Sequence, residues 1–328
     1  MNILALAQTV FGACVPILCY HQVRPESGMT PQQFGRQLDL LLALGLRTMR
    51  LDALLESLAG GKRPSDPSVV LTFDDATVDN WIHAVPELVK RNMTAAFFTI
   101  TDFIAPGAPR VQADEVTAPP TTENFGQVMA RAVRGDCSGF MNQDELRFLE
   151  RDLRMEVYAH SAAHQACFVS TRQVGLLGQA MHWSHPLLCP PNSPPGTPVH
   201  DVGSAYANNG FGPSWQGRPL DLRGPEHRAR FCLEDFSRAK RSLEQLLGHS
   251  CPFLCLPWGQ YDDITLTAAA KAGYQAVLTL DRTTSHDSRS GILTFGRMAV
   301  KDGKSTAWFL RKLLLHSLGT WPHGGPRA

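Results

Sequence analysis

A chain of 328 residues, 43% of them hydrophobic, can bury one large core, and α/β barrels of this length form as a single domain. A formal net charge of +1, with no basic run and no interleaving of aromatic and basic residues, argues against nucleic acid or a strong membrane partner held by charge. There is no long-period repeat, no G-x-G-x-x-G and no P-loop, so nothing supports a nucleotide fold.

The residues up to Cys19 are almost wholly apolar but lack the Lys or Arg that opens a signal peptide. They run into a strand at Pro16–Tyr20 that the fold needs. A cytoplasmic location follows, with an exported or membrane-anchored form as the alternative, since Phe11-Gly12-Ala13-Cys14 has a faint likeness to a lipoprotein cleavage site. Phe34, Leu38, Leu41 and Leu42 at helical spacing, with Thr30 as N-cap and Pro31 in the first turn, predict a helix over Pro31–Leu44 that ends at Gly45. A short helix at Leu51–Leu58 comes next. A turn at Pro64–Ser68 then enters the β-branched run Val69–Phe73, the pattern of a buried parallel strand.

Asp79–Arg91 is helical in pattern despite Pro86, and Ala95–Ile100 is the following strand. Residues 106–140 carry Pro, Gly and Thr clusters around a short helix, Asn124–Val133, and read as an insertion. Asn142–Leu153 is a helix leading to a strand at Met155–Ala159. A second, proline-studded insertion spans about 182–226. Both insertions would follow strand ends, where long loops cover substrate. Glu234–Leu247 is a strongly patterned helix closed by Gly248. Beyond it come a strand at Phe253–Leu256, a helix at Ile264–Ala272, strands at Ala276–Leu280 and Ile292–Val300, and a closing helix at Thr306–Leu318. Such alternation predicts a parallel sheet within one domain, residues 1–328.

The eight cysteines show no C-x-x-C spacing, and several fall in predicted strands or helices, where a free thiol behaves as a small hydrophobe. Reduced thiols are expected, and a disulfide framework is not.

Chemistry gathers at three strand ends. Val69–Phe73 stops at Asp74-Asp75, the next strand at His160-Ser161-Ala162-Ala163-His164, and the third at Pro257-Trp258-Gly259. In barrels and open α/β sheets, sites form at the carboxyl ends of parallel strands. Two histidines and one carboxylate give a divalent ion three ligands and leave a position open for water. The spare aspartate can take a proton from that water.

These segments resemble a known family. Thr72-Phe73-Asp74-Asp75, His160-Ser161-x-x-His164 and Leu256-Pro257-Trp258-Gly259 are similar to the first three motifs of the polysaccharide deacetylases, carbohydrate esterase family 4. Val15-Pro16-Ile17-Leu18-Cys19-Tyr20-His21 is similar to the first strand of the poly-N-acetylglucosamine deacetylase branch. The resemblance implies a distorted (β/α)7-type barrel, with Asp75, His160 and His164 as ligands of a divalent metal ion, zinc first, and Asp74 as general base. It implies a substrate wall from Tyr20, His21, Pro257, Trp258 and Gly259. The implied activity is removal of N-acetyl or O-acetyl groups from an acetylated glycan or glycan precursor. A deformylase or other small-molecule amidohydrolase on the same site, or a degenerate barrel that only binds glycan, are the alternatives.

Three departures stand out. Ala76 replaces the glycine that usually follows the paired aspartates. Cys255 replaces the arginine that many members place before the motif-three proline to orient the base. Arg297, in Phe295-Gly296-Arg297-Met298, is the candidate to supply that cation from another strand. The Leu-x-His that usually brings the general acid is not evident. Of the unassigned histidines (His21, His182, His185 and His286), His286 is taken as the acid because it falls between the last two strands.

Overall fold

The computed structural model describes residues 14–25, 28–61, 64–113, 123–179, 182–190, 192–211, 222–281, 285–286 and 291–317. The amino-terminal half contributes β1 (Ile17–Tyr20), α1 (Pro31–Ala43), β2 (Arg47–Thr48), α2 (Leu51–Ala59), β3 (Ser68–Phe73), α3 (Val85–Val89), β4 (Ala96–Thr99), α4 (Phe125–Ala132), α5 (Gln143–Arg151) and β5 (Glu156–Ala159). Beyond β5 lie β6 (Ala166–Leu176), α6 (His185–Leu188), β7 (Pro198–Ser204), α7 (Pro225–Leu247), β8 (Phe253–Cys255), α8 (Asp263–Lys271), β9 (Ala276–Thr279), β10 (Ser285–His286), β11 (Leu293–Gly296), β12 (Met298–Ala299) and α9 (Thr306–Ser317).

The main sheet runs β11-β9-β8-β5-β4-β3-β1-β12, with every neighbouring pair parallel. Its two end strands are consecutive in the chain and separated only by Arg297. One continuous segment therefore pairs with β9 through its first half and with β1 through its second, which nearly closes an α/β barrel. The expected final strand, Ile292–Val300, is broken at Arg297 for this reason. Strands β1, β3, β4, β5, β8 and β9 are buried along their whole length, as parallel strands covered on both faces must be. Tyr20, Phe73 and Phe97 stack across three of them, with ring centroids 5.4 and 4.9 Å apart. Each such ring contributes roughly 1.5–3 kcal/mol on burial.

Local signals account for most helix ends. Thr30 caps α1 through its side chain, and Asn142 and Glu145 form a reciprocal box at the start of α5. The expected helix Asp79–Arg91 is wider than α over Asn80–Ala84. Pro86 has no N–H for the Ile82 carbonyl, which accepts instead from the Ala113 N–H at 2.9 Å. That bond ties the first insertion to the barrel.

The second insertion is more ordered than its prolines implied. β7 lies where an irregular segment was expected from His182, and it pairs antiparallel with the preceding β6, Ala166 opposite Ser204. Helix α7 begins at Pro225 rather than Glu234; the residue its first turns bury earliest is the polar Arg228, so no apolar stripe announces them. No helix among the described residues is long and apolar enough to cross a membrane. None of the eight cysteines is disulfide-bonded.

Candidate metal centre and active site

The parallel register brings the carboxyl ends of β1, β3, β5 and β8 to one rim of the barrel, and the backbone turns sharply there. Asp75, Ala76, Ser161, His164 and Trp258 all have positive φ, between 47° and 68°. Left-handed backbone costs a non-glycine residue roughly 1–2 kcal/mol, so this clustering marks strain held at a site by its surroundings. It also explains the glycine usual at position 76, since Ala76 takes a φ of 47° that glycine adopts freely.

Asp75 Oδ1 lies 3.5 Å from His160 Nε2 and 3.6 Å from His164 Nε2. Ligands about 2.1 Å from a tetrahedral ion stand roughly 3.4 Å apart, so the spacing suits one ion. Asp75 Oδ1 is buried without a hydrogen-bond partner, an orphan acceptor in a low-dielectric site. Burial raises the Asp75 carboxyl to about 7; His21 and Arg297 draw it down, and Asp74 and Asp79 push it up. Burial lowers His160 to about 4, and burial together with His160 holds His164 well below the ordinary imidazole value. Both imidazoles are thus neutral, with lone pairs to give. His160 Nδ1 is 3.0 Å from the Cys255 carbonyl, which accepts its proton and leaves Nε2 free to ligate. The donor set fits a divalent ion.

The loop between the two histidines is braced from both sides. The His164 N–H donates to Ser161 Oγ at 2.9 Å, the Tyr206 hydroxyl donates to the same oxygen at 3.0 Å, and the Ala162 N–H donates to Asp235 at 2.8 Å.

Asp74 is held differently. Arg297 Nη1 and Nη2 donate to its two oxygens at 2.6 and 2.8 Å, while the Cys255 and Cys19 thiols each approach one oxygen at 3.4 Å. Arg297 also donates to Thr72 Oγ1 and the Thr279 carbonyl, and it is 1% exposed. Burial alone would raise the Asp74 carboxyl, but Arg297, His160 and His21 together hold it well below the usual carboxylate range. Cys19, His21 and Asp74, or Asp74, His160 and Cys255, could also converge on an ion. Asp74 already has both oxygens occupied, so these sets fit less well.

A cavity of about 490 Å³ opens over Asp74, Asp75, His160 and His164. His21 lines it half-exposed, with Nε2 3.9 Å from Asp74 Oδ2. Asp79 accepts from the Val23 N–H at 2.7 Å, and Asn80 donates to the His21 carbonyl at 2.8 Å, which fixes this loop. Trp258 and Gly259 form one wall, but Pro257 is buried beneath the turn and is not part of the lining. Tyr20 borders the cavity with its hydroxyl turned to Gln37, 3.0 Å away in the core. His286 pairs with Leu293 through its backbone in β10, and its side chain lies outside the described residues.

Among the lining residues that escaped the sequence reading, two aromatics stand out. Phe125 from the first insertion and Trp183 from the second meet with ring centroids 4.9 Å apart, and Phe125 packs edge-on to His164 at 5.4 Å. Trp183 continues to Trp258 at 5.9 Å. An aromatic in each insertion was the available signal, but their meeting is set by tertiary packing alone.

Comparison with known proteins agrees with this geometry. The family model described as polysaccharide deacetylase matches residues 61–277, which include both histidines and both aspartates and stop short of Arg297. A putative polysaccharide deacetylase, YxkH of Bacillus subtilis (strain 168), is 32% identical over 90 residues, 27% of this chain. The match spans about a third of that relative's length (32%). Among solved structures, a de-N-acetylase from Aggregatibacter actinomycetemcomitans superposes with a TM-score of 0.61 at 16% identity, covering 91% of this chain and 99% of that one. IcaB from Ammonifex degensii gives 0.57 at 19%, covering 93% and 98%. The BpsB deacetylase domain from Bordetella bronchiseptica gives 0.58 at 15%, covering 88% and 96%. At these identities the structural likeness speaks for the barrel, while the family model speaks for the sequence that builds its rim: the chain belongs to the polysaccharide deacetylase family.

Proposed function

We propose that the protein is a metal-dependent deacetylase that removes N-acetyl, or O-acetyl, groups from a sugar of a surface polysaccharide or its precursor. One observation carries the reading. Adjacent residues at one strand end hold an orphaned carboxylate facing two neutral imidazoles and a second carboxylate clamped by an arginine.

Asp75, His160 and His164 would hold the ion, and two imidazoles with one carboxylate favour zinc. Bound there, a divalent ion supplies a Lewis acid and a water of lowered pKa. Asp74 is the base. Its clamp makes it weak in thermodynamic terms, so its contribution is position and assured ionisation rather than high proton affinity. Two histidines compete to protonate the departing amine: His286 on sequence grounds, and His21, which lines the cavity beside Asp74. Trp183 and Trp258 offer flat faces for a sugar ring. The aromatic walls brought by both insertions favour a glycan over a small amide.

The test joins metal analysis of the purified protein with an acetate-release screen on acetylated oligosaccharides. Release should vanish on chelation and return with zinc. A protein that retains metal and hydrolyses only small formyl or acyl amides would sink the glycan reading.

A further inference from the structure

We propose, resting on the deacetylase reading, that the catalytic cleft continues into a cationic groove that binds an anionic group carried by the same glycan. The groove is a cavity of about 540 Å³ beside the seam of the barrel, and it shares Leu280, Ala299 and Lys301 with the cavity over the metal ligands. The two cavities adjoin along these residues, so a ligand bound over Asp74 could extend toward the groove.

Its chemistry is one-signed. Lys301, Lys304, Arg311 and Lys312 line it together with Trp308, and among the described residues no carboxylate does; the nearest in sequence, Asp302, lines the adjoining cavity. Among the described residues, none of these four cations forms an ion pair. Elsewhere on the surface many arginines are paired, as in Arg91–Asp39, Arg172–Asp201 and Arg238–Asp102. With 31 basic and 30 acidic residues overall, an unneutralised cluster in a concave site is a local departure. Like charges crowded together repel, and a fold that balances its charge elsewhere retains this cost here.

The groove is built by helix α9 and the loop before it. Within α9, Trp308, Arg311 and Lys312 follow the i, i+3, i+4 spacing of one helical face, while Phe309 and Leu313 are buried on the other; Lys304 comes from the loop before it. Lys312 Nζ sits 6.0 Å from the Trp308 ring centroid, which places a cation beside a half-buried aromatic face. A sugar stacked on Trp308 would carry its phosphate or carboxylate among the lysines. Because Phe309 and Leu313 are spent on the core and Leu314 alone of the large apolar residues of α9 is exposed, a membrane surface is the less suitable occupant.

Calorimetric binding of two acetylated oligosaccharides, identical except that one bears a phosphate monoester, tests this. Wild-type protein should favour the phosphorylated ligand about tenfold at low salt, and the ratio should fall towards one by about 0.5 M salt. The triple variant Lys304→Gln, Arg311→Gln, Lys312→Gln should bring the ratio near one at low salt. A third ligand with a uronate carboxylate in place of phosphate separates the two anions; preference for either or both supports the groove and names its source. Equal binding of neutral and charged ligands by the wild type overturns the proposal, as does a ratio that survives the triple variant. So does loss of binding to anionic phospholipid vesicles with the sugar ratio unchanged, which would make the groove a membrane contact. Binding is measured without turnover. A clear charge preference without acetate release would sink the deacetylase reading alone, and acetate release without preference would sink the groove alone.

Discussion

Replacing Arg297 by Met perturbs the best-defined interaction of the site. The guanidinium makes two charge-assisted bonds to Asp74, at 2.6 and 2.8 Å, inside a barrel where Asp74 is 3% exposed. Removing one partner of such a buried pair leaves an uncompensated charge and costs roughly 3–5 kcal/mol. Asp74 has a way to avoid that cost, which is to take up a proton, since burial alone drives its carboxyl upward. The guanidinium also fixes where the carboxylate points, and about 3 kcal/mol of transition-state positioning lost with it corresponds to roughly a hundredfold loss of rate. The expected result is a kcat lowered by two to three orders of magnitude with KM nearly unchanged (about 3 kcal/mol per hundredfold and more). The active form is the ionised carboxylate, so the acidic limb of the pH–rate profile should move to higher pH in the variant. Arg297→Lys keeps the charge but not the two-pronged geometry and should fall between. Acetate-release kinetics across pH, with a melting curve to confirm folding, measure all of this. A folded Arg297→Met protein with kcat within about threefold of wild type and an unmoved acidic limb would refute the reasoning.

Other predictions follow from the same geometry. His164→Ala should lose bound metal with little change in melting temperature, because the side chain sits on the rim rather than in the core; a variant that unfolds as it loses metal would contradict this. Asp74→Asn should keep its metal yet release no acetate, and activity near wild type would move the base elsewhere. Trp183→Ala should raise KM on a glycan several-fold more than it lowers kcat, since it removes a wall and no reacting group. Burial raises the Asp235 carboxyl to about 6, against an unfolded value near 3.8. The stability it contributes is complete below that unfolded value and is lost as pH rises through 6. Asp235→Asn should therefore match wild type near pH 4 and exceed it at pH 7 by at most about 3 kcal/mol. Parallel melting curves at the two pH values check the sign.

The motif-bearing strands were legible because a strand buried on both faces shows as an unbroken apolar run, and the polar residues at its end have nowhere to go but the rim. Val69–Phe73 before Asp74 is the clearest case. The helix cap at Thr30 was legible for a similar local reason, while Asn124 and Asn142 were read only as helix starts and prove to be capping residues. The β6–β7 ribbon was not, since β6 is buried only at Ala166–Phe168 and the rest of that strand alternates no apolar face. The first turns of α7, with Glu226, His227 and Arg230 exposed, likewise lack the stripe that marks a helix. The Arg297–Asp74 contact spans 223 positions and was foreseen only through family resemblance and the Cys255 substitution. The approach of both thiols to Asp74 and the meeting of Phe125 with Trp183 depend wholly on packing.

Anomalous diffraction at the zinc edge from crystals of the purified protein tests the central claim most directly. The account predicts one peak about 2.0–2.2 Å from Asp75 Oδ1, His160 Nε2 and His164 Nε2, with Asp74 still clamped by Arg297 and outside the coordination sphere. A peak held by Cys19, His21 and Asp74, or none at the Asp75 cluster in zinc-soaked crystals, would contradict it.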